Sequence, residues 1–285
     1  MKRLIFVICE LSIVFGNGLQ VEMEYKFSFG SYSAKAMSEV IESVYQGRSN
    51  QVYIFNTVDT FNRSSYDDVA NGILRNIESF KMTIQFEDYQ KMKPRRRLLV
   101  IILIDSYEDF LKFSSKLSSE NFDFRGYFTI VTLNPIEIDD LQKIINFFWQ
   151  APVTNVYIII PSKKEKLQLF TFNPFNGIKC GDTTPVKIND FDKDRMTWQI
   201  KPVHSNKLGN LQECQIFIGE AAGTSEPYAM FKNDGNGKLQ FVGIENDILV
   251  EISKILNFQV KFHIADMFGA LYENGTATGM LVDWL

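Results

Sequence analysis

The sequence predicts an α/β protein whose first part is built on a largely parallel sheet. Short, β-rich apolar runs alternate with stretches of helical periodicity from residue 19 to residue 175. The run Leu98 to Ile104 is apolar throughout, which is the pattern of a strand covered on both faces. Helix-length segments between strands imply βαβ units, because parallel neighbours need a crossover.

The elements follow in order. Gln51 to Phe55 is a β-rich strand. Tyr66 to Phe80 sets Val69, Ile73, Leu74 and Ile77 at helical spacing. After the strand Leu98 to Ile104, Ser106 is placed to cap a helix carrying Phe110, Leu111, Phe113 and Leu117. Tyr127 to Leu133 is a strand. Ile138 to Trp149 is a helix with Leu141, Ile144, Ile145 and Phe148 on one face. Val156 to Ile160, closed by Pro161, and Leu167 to Phe172 complete the strands of this domain.

Composition divides the rest. Lys2 and Arg3 precede the apolar stretch Leu4 to Phe15, interrupted by Glu10, and Gly16-Asn17-Gly18 follows. The pattern predicts a secretory signal peptide over residues 1–18. The segment 176–210 holds Pro185 and Pro202, with Asp190, Asp192, Lys193 and Asp194, and reads as a linker. Residues 211–285 form a second unit. In it Gln215 to Gly219 is a strand, Asp234 to Gly237 a turn, and Gln259 to Ile264 another strand. Between them, Ile248, Leu249, Ile252, Ile255 and Leu256 make one apolar helical stripe. No stretch after the leader reaches the roughly 18 apolar residues that span a bilayer.

Several function classes find no support. A formal charge of −4 argues against a nucleic-acid partner. No glycine-rich phosphate loop follows any strand, so no nucleotide cofactor is expected. His204 and His263 have no Cys or carboxylate at metal-ligand spacing, so no metal is expected. Ser64, Ser65, Ser114 and Ser115 lie in no Gly-x-Ser-x-Gly turn, and no carboxylate pair stands out, so the chain does not read as an enzyme. Lys91, Lys93 and Arg95 to Arg97 read as a solvated loop ahead of a buried strand. After processing, Cys180 and Cys214 remain, and an even count in an exported chain predicts a disulfide. Asn62-Arg63-Ser64 and Asn274-Gly275-Thr276 are glycosylation sequons.

One run points further. Ser225-Glu226-Pro227-Tyr228 leads into Ala229 to Lys232. A Gly/Asn turn follows, then Phe241-Val242-Gly243-Ile244-Glu245-Asn246-Asp247, the short motif Leu256-Asn257-Phe258, Phe268-Gly269-Ala270 and Gly279-Met280. This order resembles the start of the ligand-binding domain of ionotropic glutamate receptors, above all the divergent chemosensory ionotropic receptors of arthropods. A preceding run is similar to theirs too: Phe170-Thr171-Phe172-Asn173-Pro174-Phe175, Cys180, Trp198, and Lys207 to Cys214.

The resemblance implies that 211–285 is the first, incomplete part of a periplasmic-binding-protein-like lobe. It implies a ligand-gated cation channel subunit on the extracellular side of the plasma membrane. Such a subunit has a small-molecule ligand, other receptor subunits as partners, and membrane contact only through downstream segments. It also implies that Tyr228 packs over the ligand and Glu226 holds its ammonium. The family's carboxylate-clamping arginine would lie downstream. A secreted solute carrier of the same ancestry and an assembly-directing ectodomain are the alternatives.

Overall fold

A computed structural model describes residues 29–45, 51–58, 63–77, 81–85, 97–117, 122–162, 166–177, 179–202, 205–221, 227–228, 230–233, 235, 239–265, 269–270, 272 and 276–279. The leader over residues 1–18, the basic run before Arg97, Asn62, His204, Glu226 and Asn274 lie outside the described residues.

Helix α1 (Phe29–Val40) runs into a π-helical turn, Ile41–Tyr45. Then come β1 (Gln51–Asn56), α2 (Arg63–Asn76), β2 (Lys81–Gln85), β3 (Arg97–Leu103), α3 (Tyr107–Ser114), β4 (Phe122–Val131), α4 (Ile138–Gln150), β5 (Asn155–Pro161), β6 (Leu167–Thr171), β7 (Val186–Asp192) and β8 (Thr197–Trp198). These strands make one sheet in the order β2-β1-β3-β4-β5-β6-β7-β8. The first five are parallel. The last three return antiparallel.

Period-2 geometry explains the unbroken apolar run in β3. Leu99, Ile101 and Leu103 point into a core made with α1 and α2, where Met37, Val69 and Ile73 meet them. Val100 and Ile102 point into a second core on the other face, against Phe110, Phe113, Ile144 and Phe148. From Leu99 to Leu103 both faces are fully buried, which demands an apolar side chain at each position. Each such residue adds roughly 1.5–3 kcal/mol of burial. On the first face, α1 and α2 approach closely at Gly72, where a Cβ would meet that of Ala34 at 2.6 Å. On the second, Ser106 caps α3, its hydroxyl accepting from the Asp109 amide at 3.2 Å.

The expected linker at 176–210 contains two strands of the sheet, β7 and β8. Its prolines and charges conceal an alternating pattern, and charged residues are ordinary near a sheet edge. The stretch is anchored by Phe191 and Trp198, both buried, with ring centroids 5.2 Å apart. The Trp198 indole N–H donates to the Ala36 carbonyl at 3.0 Å, and Glu39 accepts from the Thr197 hydroxyl at 3.0 Å. Thus β8 closes over α1. Farther along, Lys207 is buried against the sheet, donating to the Thr154 carbonyl at 2.8 Å and to Thr171 Oγ1 at 2.7 Å.

A second set of elements follows: β9 (Cys214–Ala221), β10 (Met230–Asn233), β11 (Leu239–Val242), α5 (Ile244–Leu256) and β12 (Phe258–Ala265). Strands β9 and β12 pair in parallel, and β10 and β11 form an antiparallel pair. Phe231, Phe241 and Phe262 cluster with centroids 4.5–6.3 Å apart. Helix α5 buries none of its residues, and its stripe is open at Ile248, Ile252 and Ile255. A disulfide between Cys180 and Cys214 ties this set to the sheet unit. In the chain-entropy picture, closing a loop of that length contributes about 3–4 kcal/mol.

Together these elements are the α/β architecture expected: a sheet unit that is parallel over five strands, followed by a smaller set of strands and one helix, consistent with a periplasmic-binding-protein-like lobe. No described helix is long and apolar enough to cross a membrane.

Lys207 generates a pH prediction. Burial pulls its amine down to about 7, against about 10.4 in an unfolded chain. Between those values the unfolded chain binds more protons, so this residue makes stability rise with pH through that window. Below the folded value, the cost of burying the charge is present in full. The stability gain of Lys207→Met over wild type should therefore be larger at about pH 6 than at about pH 9.5. Denaturant midpoints at both pH values check this; a pH-independent difference contradicts it.

Candidate ligand-binding site

The order of the parallel strands places a crevice. From β1 the chain crosses through α2 to β2 on one side, and β3 then lies on β1's other side. Helices α1 and α2 cover one face, while α3 and α4 cover the other. The crossovers diverge between β1 and β3, and the region beyond the carboxyl ends of these strands is the position at which open α/β sheets bind ligands.

Polar residues follow the apolar strands at that edge. Asn56 and Thr57 end β1, Asp105 and Ser106 follow β3, and Thr132 to Asn134 follow β4. Asn56 Nδ2 donates to Asp67 Oδ1 at 3.0 Å, and Asn56 Oδ1 accepts from the Val58 amide at 3.2 Å. The Thr57 hydroxyl donates to the Leu103 carbonyl at 3.1 Å, locking the ends of β1 and β3 together. Asp105 Oδ1 accepts from the Tyr66 hydroxyl at 2.8 Å and from Asn134 Nδ2 at 2.5 Å. The Tyr66 oxygen in turn accepts from the Leu133 amide at 2.8 Å. Asp109 accepts from the Asp105 amide at 3.1 Å and pairs with Lys112 at 2.8 Å.

Burial, first, and the neighbouring Asp105 and Asp109 charges push the Tyr66 phenol well above its ordinary range, against the Leu133 amide, which lowers it. Tyr66 therefore stays protonated and keeps donating. The carboxylates of Asp67 and Asp105, both half-buried, and the amide oxygens make an acceptor-rich lip. Such a lip suits a small ligand bearing N–H or O–H groups. Among the described residues, no group of three or more His, Cys, Asp and Glu side chains is placed to hold a metal ion.

Sequence reasoning did not single out these residues. The available signal was positional: Asn56 ends β1, and Asp105 and Asn134 follow β3 and β4 within three residues. Tyr228 stands elsewhere, on the turn between β9 and β10, exposed at 57%. Its carbonyl accepts from the Glu245 amide at 3.1 Å, at the start of α5. Gly243, with φ +117°, makes this approach possible, since a Cβ there would lie 2.3 Å from the Tyr228 oxygen.

A doubly wound sheet with polar side chains gathered at its carboxyl edge is the arrangement that small-molecule-binding α/β units share. A family model described as "Putative ionotropic receptor, ligand binding domain" matches residues 28–210. The match runs over all eight strands of the sheet and covers more than half of the 285 residues. The chain belongs to this family of ionotropic receptor ligand-binding domains, which is not an enzyme family. That membership makes it the ligand-binding, extracellular part of a receptor. The match stops short of Cys214, whereas the sequence resemblance places its binding residues beyond it. No curated protein matches the chain.

Tyr66→Phe should lower stability by about 1–3 kcal/mol, because the Leu133 amide and Asp105 both lose a buried partner. For a unit of this size, that is about 2–4 °C of melting temperature per kcal/mol. Thermal unfolding followed by circular dichroism reads it, and an unchanged melting temperature would mean the hydroxyl bridges nothing.

Proposed function

We propose that the chain is the extracellular ligand-binding part of a ligand-gated cation channel subunit that serves chemosensation, of the kind found in arthropods. The observation that carries this is the family match lying on a sheet whose carboxyl edge holds Asn56, Asp67, Asp105 and Asn134. The resemblance of the stretch from Ser225 to Met280 to the chemosensory receptors supports the sensory role and the channel. In this reading residues 1–18 are removed on export, and Asn62 and Asn274 carry glycans. Sheet unit and following lobe are separate domains, joined near Cys214. Other subunits complete the channel.

The ligand is a small molecule rich in hydrogen-bond donors. The crevice binds it, and Tyr228 and Glu226 form a second contact set in the following lobe. An aromatic face such as that of Tyr228 offers flat apolar area with a hydroxyl at the wet edge.

The test is a thermal-shift screen of the secreted chain against small amines, amino acids and polyols. A ligand at a hundredfold its Kd stabilises by about 2.7 kcal/mol, which is about 5–10 °C here. Asp105→Asn should weaken that ligand about tenfold or more, the loss of a charged hydrogen bond being about 1.5–3 kcal/mol. No shift with any compound would contradict the reading. A shift lost in Tyr228→Ala but kept in Asp105→Asn would move the site wholly to the second lobe.

A further inference from the structure

A second cavity lies away from the crevice, on the antiparallel side of the sheet. It has a volume of about 370 Å³, within the usual range for small-ligand pockets. Its floor is buried: Tyr157, Leu169, Phe172 and Lys207. Its rim carries the apolar side chains Val186, Ile188 and Ile200, which are 40–67% exposed, with the exposed Lys201 beside them.

Lys207 is the unusual member. Only 6% of it is exposed. Its amine donates to two neutral oxygens, the Thr154 carbonyl and Thr171 Oγ1. Thr171 Oγ1 spends its own proton on the Val156 carbonyl at 2.7 Å, so it can only accept from the lysine. The amine also sits 4.5 Å from the Phe172 ring centroid and 5.8 Å from that of Tyr157. Among the described residues no carboxylate pairs with it. A lysine this deep is rarely retained without an anion, because an unpaired buried charge is costly.

We propose that this cavity binds a small organic carboxylate, its head on the Lys207 ammonium and its apolar tail along Val186, Ile188 and Ile200. The chemistry is complementary at both ends. The third ammonium proton is available to the carboxylate, which supplies the missing countercharge inside a low-dielectric pocket. Burial pulls the pKa of this amine down to about 7, and an anion beside it would draw it to the charged form. Ile188 and Ile200, exposed in the free chain, gain cover from the tail. The site is separate from the crevice at Asp105 and stands whether or not that crevice binds a ligand.

The experiment is calorimetric titration of the full secreted chain with hexanoate, and with hexanol and hexylamine as probes of the same tail. Hexanoate should bind saturably and more tightly than either. Lys207→Met keeps the chain's bulk and removes the charge; it should weaken hexanoate on the order of tenfold or more, bringing it to the level of hexanol. Ile188→Trp, a change at the exposed rim that leaves Lys207 in place, should also weaken hexanoate; it serves as the test if Lys207→Met does not fold. Asp105→Asn should leave hexanoate binding unchanged. Equal affinity for hexanoate and hexanol, no saturable binding at millimolar hexanoate, or hexanoate binding lost in Asp105→Asn but kept in Ile188→Trp would each overturn the proposal.

Discussion

The burial of β3, β4 and β5 on both faces is the constraint on which the structure rests. Ile101, Ile102, Ile130, Ile158 and Ile159 are all removed from water. Strands of this kind need a helical layer on each side, and parallel pairing supplies the crossovers that become those layers. The layers diverge where the strand order turns, between β1 and β3. The crevice is therefore a by-product of the same burial that holds the unit together. Side chains at its lip, such as Asn56 and Thr57, inherit rigid positions from strand ends that cannot move without opening the core.

The far edge of the sheet meets a different demand. There β6 to β8 turn back antiparallel and the chain runs on to Cys214. Three ties hold that segment: the Trp198 indole on Ala36, the disulfide from Cys180, and the amine of Lys207 on Thr154 and Thr171. The first two are unremarkable in an exported protein. The third buries an amine against neutral partners only, so its charging costs stability as pH falls from the ordinary lysine range, and in full below about 7. A stabilising role alone does not explain why the position holds lysine, and a ligand at the adjoining cavity does.

Much of the sheet unit was legible from periodicity. The strands at β1, β3, β4, β5 and β6 and the helices α2, α3 and α4 appear where apolar spacing puts them, because their faces are decided by burial. Ser106 was legible as a cap for the same local reason. Helix α1 was not singled out: beside Tyr32, Met37 and Val40 it buries the small residues Ser33, Ala34, Ala36 and Ser38, which suit close packing on α2 and break up an obvious apolar stripe. Strands β7 and β8 were hidden because proline and charge signal a loop, while Phe191 and Trp198 carry the burial. The crevice residues were invisible singly, since Asn and Asp after a strand are also ordinary turn residues; only the strand order brings Tyr66, Asp105 and Asn134 together. Lys207 stood in a quoted motif, yet its burial is a tertiary fact.

The eight-stranded unit is the stable body of the protein, and among the described residues the elements from β9 onward have little core of their own. Hydrogen exchange on the intact chain, resolved by peptide, tests this most directly. Amides of β3, β4 and β5 should exchange only through global unfolding, while those of α5, which buries no residue, should exchange orders of magnitude faster. Equal protection of α5 and β3 would contradict the claim, because it would make the two sets of elements one cooperative fold.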